Sequence, residues 1–386
     1  MTPQARAQAA IEILDQVIAS AREDGPPADA IVSAYFKTRR YAGSKDRRAV
    51  RELVFAAIRR SGTIPASGRA ALLGIAPQLF DGSPHGPAPV AEGEVAADER
   101  LLPGWIEPEL SQLVTSDEWP ALLERAPLDL RANAARTSRE AVLAELPGAA
   151  PTRLSPWGLR LAADSRIDQH PLYLAGDIEV QDEGSQLIAL SCAPAEGMRI
   201  LDLCAGAGGK ALALAAAAPA AEILATDTNR ARLSRLAPRA RRAGAHIATR
   251  LLDAGRESAQ LADLAGSCDV VLVDAPCSGS GTWRRNPEGR WRLTPERLAR
   301  LTHIQAALLD LAVPLVKPGG AMVYAVCSIL AREGAGQATS FLGRHSSWRA
   351  QDISSPFGRS DGVGRLLTPA HDRTDGFFVA RFAAPC

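Results

Sequence analysis

Apolar positions recur at helical spacing near the start of the chain. Ala10, Leu14, Val17, Ile18 and Ala21 fall on one stripe, and Val50, Leu53, Val54, Ala57 and Ile58 on another. Between them, Ala28 to Phe36 predicts a further helix, and Gly43-Ser44-Lys45-Asp46 reads as a turn opening the next one, with Ser44 or Asp46 as its cap. The periodicity then fades. Residues 63–100 are rich in Pro, Gly and Ala, break most sharply at Gly82-Ser83-Pro84-His85-Gly86-Pro87, and predict a linker or loosely packed connection. Residues 104–126 have room for one or two short helices. Alternation at Leu128–Asn133 and Gly158–Leu161 predicts strands on either side of a helix at Ser138–Leu146, so residues 127–175 read as a small α+β unit. From residue 176 apolar strands alternate with helices, the signature of a parallel sheet. The candidate strands are Met198–Leu203, Ile223–Thr226, Ile247–Leu252, Val270–Val273, Met322–Val326 and Gly376–Phe382, and the clearest helix is Pro295–Val316.

Composition narrows the class. The chain has 386 residues, long enough for two or three domains, and a net charge of only +1. A nucleic-acid site must therefore come from local clustering of charge, as in Lys37, Arg39, Arg40, Lys45, Arg47, Arg48, Arg51, Arg59 and Arg60. Lysine is otherwise confined to Lys210 and Lys317. The six cysteines include no Cys-x-x-Cys pair, which argues against zinc or a disulfide scaffold and for free thiols in a reducing compartment. The first residues lack the apolar core of a signal peptide, and Ala211–Ala221 is too short and too broken by Pro219 to span a membrane. The expectation is a cytoplasmic protein with no metal and no membrane partner.

The first strand of the alternating region ends in Asp202-Leu203-Cys204-Ala205-Gly206-Ala207-Gly208-Gly209-Lys210 before an alanine-rich helix. A glycine-rich strand-to-helix turn lets a ligand approach the backbone closely, although this spacing matches neither the dinucleotide fingerprint nor a P-loop. Asp227 ends the second strand, where an acid can take the hydroxyls of a ribose; Asp253 and Asp274 end the third and fourth. A series of acids at matching strand ends points to a nucleoside-type cofactor. The fourth strand runs on into Ala275-Pro276-Cys277-Ser278-Gly279-Ser280-Gly281-Thr282-Trp283-Arg284-Arg285, and the fifth delivers Cys327. If those strands are neighbours, roughly 4.8 Å apart, both thiols face one pocket. Carbon-5 of cytosine is a poor nucleophile until a thiolate adds at carbon-6, so two thiols beside a nucleoside cofactor suggest covalent methylation of an unpaired base. Trp283, Arg284 and Arg285 are candidates to stack on or bind RNA, against a plain packing role for the indole.

On these residues, 128–382 resembles the bacterial RsmB/Fmu and eukaryotic Nop2/Sun family of RNA cytosine-5 methyltransferases. The matching stretches are Val180-Gln181-Asp182-Glu183-Gly184-Ser185-Gln186-Leu187, the Cys204–Lys210 loop, Asp274 to Arg285, Lys317-Pro318-Gly319-Gly320, Val326-Cys327-Ser328 and Thr374-Asp375-Gly376-Phe377-Phe378. Residues 5–62 resemble the helical RNA-binding domain related to NusB, best at Gly43-Ser44-Lys45-Asp46-Arg47. The resemblance implies a NusB-like helical domain over 1–65, a linker with short helices over 66–126, an RNA-recognition-like α+β subdomain over 127–175 and a Rossmann-like S-adenosylmethionine methyltransferase domain over 176–386. It implies Cys327 as nucleophile and Cys277 in product release, a distinction the residues themselves do not make. It further implies that Cys204, Ala205, Gly206, Ala207, Gly208, Gly209, Lys210, Asp227, Asp253 and Asp274 hold the cofactor, with Asp274 also lining the base pocket. RNA, most of all small-subunit ribosomal RNA, would meet Lys45, Arg47, Arg284 and Arg285, and a monomer is expected. The family's usual Ala-Pro-Gly-Gly-Lys-Thr is here Gly206-Ala207-Gly208-Gly209-Lys210-Ala211, the threonine before the nucleophile is Val326, and the following Glu-Asn is Glu333-Gly334. Those departures leave open an RNA-binding assembly factor with a decayed site, and DNA methylation is a third reading.

Overall fold

The computed structural model describes residues 1–353 and 357–386, which divide into two compact units. One comprises residues 1–110, 115–124 and 282–297; the other comprises 111–114, 125–281 and 298–386.

The first unit is helical. Its main helices are α1 (Pro3–Arg22), α2 (Ala28–Lys37), α3 (Ser44–Arg60) and the short α4 (Gly68–Leu73). Thr2 caps α1 by accepting the Ala5 amide at 3.1 Å, with Pro3 in the first turn, where its missing N–H leaves nothing unpaired. The cap of α3 differs from the expectation: Gly43 is the cap residue, and Asp46 acts from the third helical position, its carboxylate accepting the Gly43 amide at 3.3 Å. The predicted stripes meet in one core, in which Leu14, Val17, Val50, Val54 and Ile58 are fully buried.

Beyond residue 65 the chain is held more firmly than its composition suggests. Leu72 and Phe80 join the same core, and α4 crosses α1 so closely that a Cβ on Gly68 would meet the Ile11 carbonyl oxygen at 2.4 Å. Residues 104–126 form only short 3-10 turns, at Glu107–Glu109, Ser116–Glu118 and Pro120–Leu122. The larger surprise is Thr282–Arg297, a segment close in sequence to Cys277 that packs within the helical unit. Trp291 enters its core and donates its indole N–H to the Ser61 carbonyl at 2.7 Å. The buried Arg290 donates through Nη2 to the carbonyls of Ile58, Arg59 and Ser61 at 2.6, 2.8 and 2.9 Å, capping the end of α3, whose last carbonyls have no partner in the helix. Glu288 takes the Ala28 amide at the start of α2 at 2.9 Å. Burial, and then the neighbouring Arg59, pull the Arg290 guanidinium down to about 9. Arg290→Ala takes a donor from three carbonyls, leaves that of Arg59 without its cap while Ser61 keeps the Trp291 indole, and opens a void. It is expected to weaken the unit by about 3 kcal/mol, speeding hydrogen exchange of α3 amides roughly 100-fold. Unchanged protection in α3 would rule out this cap as a stabilising contact.

In the second unit a four-stranded antiparallel sheet of order β2-β3-β1-β4 is built from β1 (Leu128–Ala132), β2 (Ala150–Pro151), β3 (Gly158–Leu161) and β4 (Ile178–Val180), with α5 (Arg139–Glu145) and α6 (Pro171–Ala175). Asp129 and Arg160 stand opposite each other across β1 and β3 and pair through both oxygens at 2.7 Å. After α7 (Glu183–Ser191) comes the principal sheet: β5 (Arg199–Asp202), α8 (Gly209–Ala217), β6 (Glu222–Asp227), α9 (Arg230–Leu233), α10 (Leu236–Ala243), β7 (Ala248–Leu251), α11 (Glu257–Gln260), β8 (Cys268–Asp274), α12 (Pro295–Ala312), β9 (Val316–Val326) and α13 (Ala335–Arg344). The remaining strands are β10 (Arg349–Gln351), β11 (Arg359–Asp361), β12 (Gly364–Leu367) and β13 (Phe377–Ala383). The order is β11-β12-β13-β9-β8-β5-β6-β7, with β10 also on β13. Strands β5 to β9 are parallel and β13 is antiparallel to β9, which makes an α/β fold of Rossmann-like methyltransferase type. The β8 run Cys-Asp-Val-Val-Leu-Val-Asp is apolar along its middle because helices cover both faces of a parallel sheet. Strand β9 begins six residues earlier than its apolar run suggests; its first part is irregular, with Gly319 at φ +70° and a shift in the register against β8 between Val316 and Ala321.

Among the described residues one helix, Pro295 through Leu315, is long and apolar enough to cross a membrane. It is the crossover from β8 to β9. Leu298, Gln305, Leu309 and Ala312 are buried, while Glu296, Arg300, His303 and Asp310 are exposed, the two-sided pattern of a helix packed on a sheet.

Candidate active site

Strand order reverses between β5, whose chain proceeds to β6, and β8 on its other side, so the strand C-termini splay apart and leave a crevice there. Four loops converge on that edge. The loop after β5 is the glycine turn. Gly206 and Gly208 have φ of +57° and +80°, and a Cβ on Gly208 would lie 2.2 Å from the Leu236 side chain, so α10 packs directly under the turn. Asp227, at the end of β6, accepts the Gly206 amide at 2.8 Å and the Asn229 amide at 2.7 Å. It thus holds the turn in shape while each carboxylate oxygen keeps a second lone pair. The Ala207 carbonyl is tied to Arg239 Nη1 at 2.5 Å and the Gly209 carbonyl to Gln181 Nε2 at 3.2 Å. These bonds fix the turn without the proline and threonine usual in the family. The α8 first turn has no side-chain cap, which leaves its amides for an anionic ligand group.

Lys210, in the first turn of α8, and Asp274, at the end of β8, pair at 2.6 Å. Burial opposes the ammonium, but Asp274 outweighs it, so Lys210 is held above its ordinary value; negative charge on Cys327 acts in the same direction. Asp202, fully buried at the end of β5, has no hydrogen-bond partner on either carboxyl oxygen. Burial first, then the Asp274 charge, push it up to about 7 against the pull of Lys210. Three acids and uncapped helix amides around one turn suit a ligand that carries both positive charge and a carboxylate, as S-adenosylmethionine does. When bound, that molecule supplies an electrophilic methyl group.

Asp202 gives a pH-dependent signature. Its raised folded value means that stability is fully present below the unfolded carboxyl value, near 4, and is lost as pH rises through about 7. In the cofactor-free protein Asp202→Asn removes that loss. Its advantage over the parent is expected to grow by about 1.4 kcal/mol per pH unit between pH 4 and 7 and then level off. Thermal midpoints of the two proteins that run parallel from pH 4 to 8 would contradict the assignment.

The two thiols do meet. Asp274 of β8 and Ala325 of β9 are register partners, and the loops that follow bring Cys277 Sγ and Cys327 Sγ to 3.3 Å. Both residues are half-buried. The bond to Cys327, burial, and the charges of Cys327 and Glu333 raise the Cys277 thiol well above its ordinary value. Cys204 is also raised well above it, by burial and then by Asp202, Asp274 and Asp227, so it stays a thiol and has no nucleophilic task.

Other expected site residues are placed as follows. Asp253 is exposed beyond β7 and bonds Gln260 at 3.1 Å. Lys45 and Arg47 are exposed at the start of α3, and Arg47 Nε is bonded to the Ala42 carbonyl at 2.9 Å. Trp283 and Arg284 are buried rather than displayed, and Arg285 is half-buried. The indole reads as packing, and a surface pair at 284–285 is not what folds. Sequence reasoning missed Asp202, Gln305, Ser278 and Ser328 as site residues. It noted Glu333 only as part of a changed motif. Gly334 in that motif has a steric reason, because a Cβ there would sit 2.9 Å from the Phe378 ring.

Known proteins match this picture. The family described as 16S rRNA methyltransferase RsmB/F matches residues 189–383. The Ribosomal RNA small subunit methyltransferase B of Salmonella arizonae is 35% identical over 294 residues, 74% of this chain and 67% of that protein. The protein of the same name from Xylella fastidiosa is 35% identical over 292 residues, 73% of this chain and 66% of its own length. The chain thus spans about two thirds of the length of these relatives. The crystal structure of PH0851 superposes with a TM-score of 0.80 at 22% identity, covering 97% of this chain and 98% of that one. NSun6 from Pyrococcus horikoshii with SFG gives 0.61 at 19% identity over 68% of this chain and 92% of that one. Those two likenesses bear on the fold. With the profile and the curated relatives, the chain belongs to the RsmB/F family of 16S rRNA methyltransferases, enzymes that take their methyl group from S-adenosylmethionine.

Proposed function

We propose that this chain methylates carbon-5 of a cytosine in small-subunit ribosomal RNA through a covalent bond from Cys327 to carbon-6 of the base. The observation that carries the reading is the 3.3 Å separation of Cys277 and Cys327 at the strand edge that also carries the Lys210–Asp274 pair. Methylation of a ring nitrogen or a ribose oxygen needs no thiol; methylation of carbon-5 needs one to activate the ring. The family resemblance assigns the attack to Cys327 and the release to Cys277, and the surroundings that raise the Cys277 thiol support that assignment.

In the proposed sequence the Cys327 thiolate adds at carbon-6, and the electron pair this places on carbon-5 takes the methyl group, whose bond to the donor's sulfonium sulfur breaks to leave S-adenosylhomocysteine. The carbon-5 proton then passes to water, its bonding pair restores the 5,6 double bond, and the carbon–sulfur bond to Cys327 breaks, returning the thiolate. Cys277 acts in that release. Asp274, fixed by Lys210, would line both the methyl-donor side and the base side, residues 204–210 with Asp227 would hold the donor, and Asp253 would take its adenine side. Lys45 and Arg47 contribute to RNA binding, with Arg285 as a further contact. The protein works in the cytoplasm, as a monomer, with RNA as its partner. The relatives' names support a ribosomal target in particular.

The purified chain, incubated with labelled S-adenosylmethionine and unmodified small-subunit ribosomal RNA, is expected to yield labelled 5-methylcytidine on digestion. No labelled cytidine in any ribosomal or transfer RNA fraction, with cofactor binding intact, would leave the RNA-binding reading. Preference for DNA in direct competition would replace the RNA assignment.

A further inference from the structure

Glu333 lies between β9 and α13, is fully buried, and has no ion pair among the described residues. Taking an unpaired carboxylate out of water is costly unless its lone pairs are filled. They are. One oxygen accepts the Ser278 amide at 2.8 Å and Gln305 Nε2 at 2.9 Å. The other accepts the Ser328 hydroxyl at 2.6 Å and the Ser278 hydroxyl. Ser278 follows Cys277 and Ser328 follows Cys327, so a single carboxylate ties the loop of one thiol to the loop of the other. Gln305 extends the tie to the far side of Cys277 by donating to the Pro276 carbonyl at 3.0 Å. The Tyr324 hydroxyl, three residues before Cys327, donates to the Glu333 backbone carbonyl at 2.6 Å.

The direction of the protons matters. Each serine hydroxyl has one proton. Spending it on Glu333 leaves the Ser278 oxygen to accept the Ser280 amide at 3.2 Å and the Ser328 oxygen to accept the Leu330 amide at 3.1 Å. The Ser280 hydroxyl lies 2.9 Å from Ser328 and accepts the Ile329 amide at 3.0 Å. The two serine hydroxyls thus point at the Glu333 carboxylate, with the Ser280 oxygen, 3.1 Å from Ser278 and 2.9 Å from Ser328, as a second acceptor within reach.

We infer that Glu333 is a positioning residue: its carboxylate latches the loops after β8 and β9 together and so sets the separation of the Cys277 and Cys327 sulfurs. After the Cys327 contact and burial, its negative charge adds to what raises the Cys277 thiol. The functional weight of this latch rests on the proposed carbon-5 chemistry, but its geometry is testable without any methyl transfer. Diamide oxidises two adjacent thiols to a disulfide, with both S–H bonds lost, one S–S bond formed, and its N=N bond reduced to N–H/N–H. In the folded parent a rapid Cys277–Cys327 cross-link is expected. Glu333→Ala is expected to slow that cross-link at least 10-fold and to lower kcat for RNA methylation in proportion, with KM for the cofactor unchanged. Glu333→Gln keeps the shape and removes the charge. It is expected to retain the cross-link within about 3-fold of the parent and to move the pH profile of Cys277 alkylation, read peptide by peptide, to lower pH.

If Glu333→Ala unfolds, the Gln variant and a Ser278→Ala/Ser328→Ala pair carry the test, the latter again slowing the cross-link. A parental cross-link rate in the Ala variant or the serine pair would overturn the latch. An unmoved alkylation profile in Glu333→Gln would overturn the role of its charge. A latch that behaves as described in a protein that makes no 5-methylcytidine would condemn the proposed function and leave this inference standing.

Discussion

Cys327→Ala is expected to reduce 5-methylcytidine formation by about 10⁴-fold or more while the protein still folds and binds its methyl donor. No other sulfur can substitute. Cys277, at 3.3 Å, is held as a thiol, and Cys204 is raised by burial among three carboxylates. Cys192 and Cys268 are buried in the sheet domain, and Cys386 ends the chain. Without a thiolate at carbon-6 the ring does not become nucleophilic at carbon-5, and positioning by the remaining residues does not change that. The check is single-turnover methylation with saturating cofactor, alongside calorimetry of cofactor binding. A loss below 10-fold would mean that Cys327 is not the attacking sulfur.

Cys277→Ala is expected to do something different: to let the first half of the reaction proceed and stall the second. Methyl transfer then stops after one turnover, and protein bound to RNA accumulates as a slowly migrating band in a denaturing gel. The reason is geometric: among the described residues Cys277 Sγ lies 3.3 Å from the sulfur proposed to attack, on the loop tied through Gly281 to the Cys327 carbonyl at 3.1 Å. The adduct should be absent from the Cys277→Ala/Cys327→Ala double variant. A clean gel for the single variant, with multiple turnovers retained, would exchange or dissolve the two assigned roles.

Much of this was legible in the chain. Helical stripes are a local property, and Leu14, Val17, Val54 and Ile58 do face one core. The parallel strands are recognisable because a strand covered on both faces is apolar throughout, as in β8, and the glycine turn because Gly206 and Gly208 adopt backbone angles that side chains resist. Less was legible where a residue's environment comes from distant sequence. Thr282–Arg297 looks like a basic surface loop beside the Cys277 motif, yet Trp291 and Arg290 complete a helix end more than two hundred residues earlier. Residues 63–100 read as a linker or loosely packed connection because Pro and Gly mark turns without saying what packs beneath them.

The sequence by itself determined the element order, the strand ends that carry Asp202, Asp227, Asp274 and both cysteines, and the family, since each depends on short-range pattern and residue identity. Only the tertiary structure decided which of those residues share a space and in what state of charge. The 3.3 Å sulfur contact, the Lys210–Asp274 pair and the Ser278 and Gln305 donors on Glu333 join residues from 28 to 64 positions apart. Burial and neighbouring charge, which set the ionisation of a thiol or a carboxyl, exist only after the strands have aligned in register.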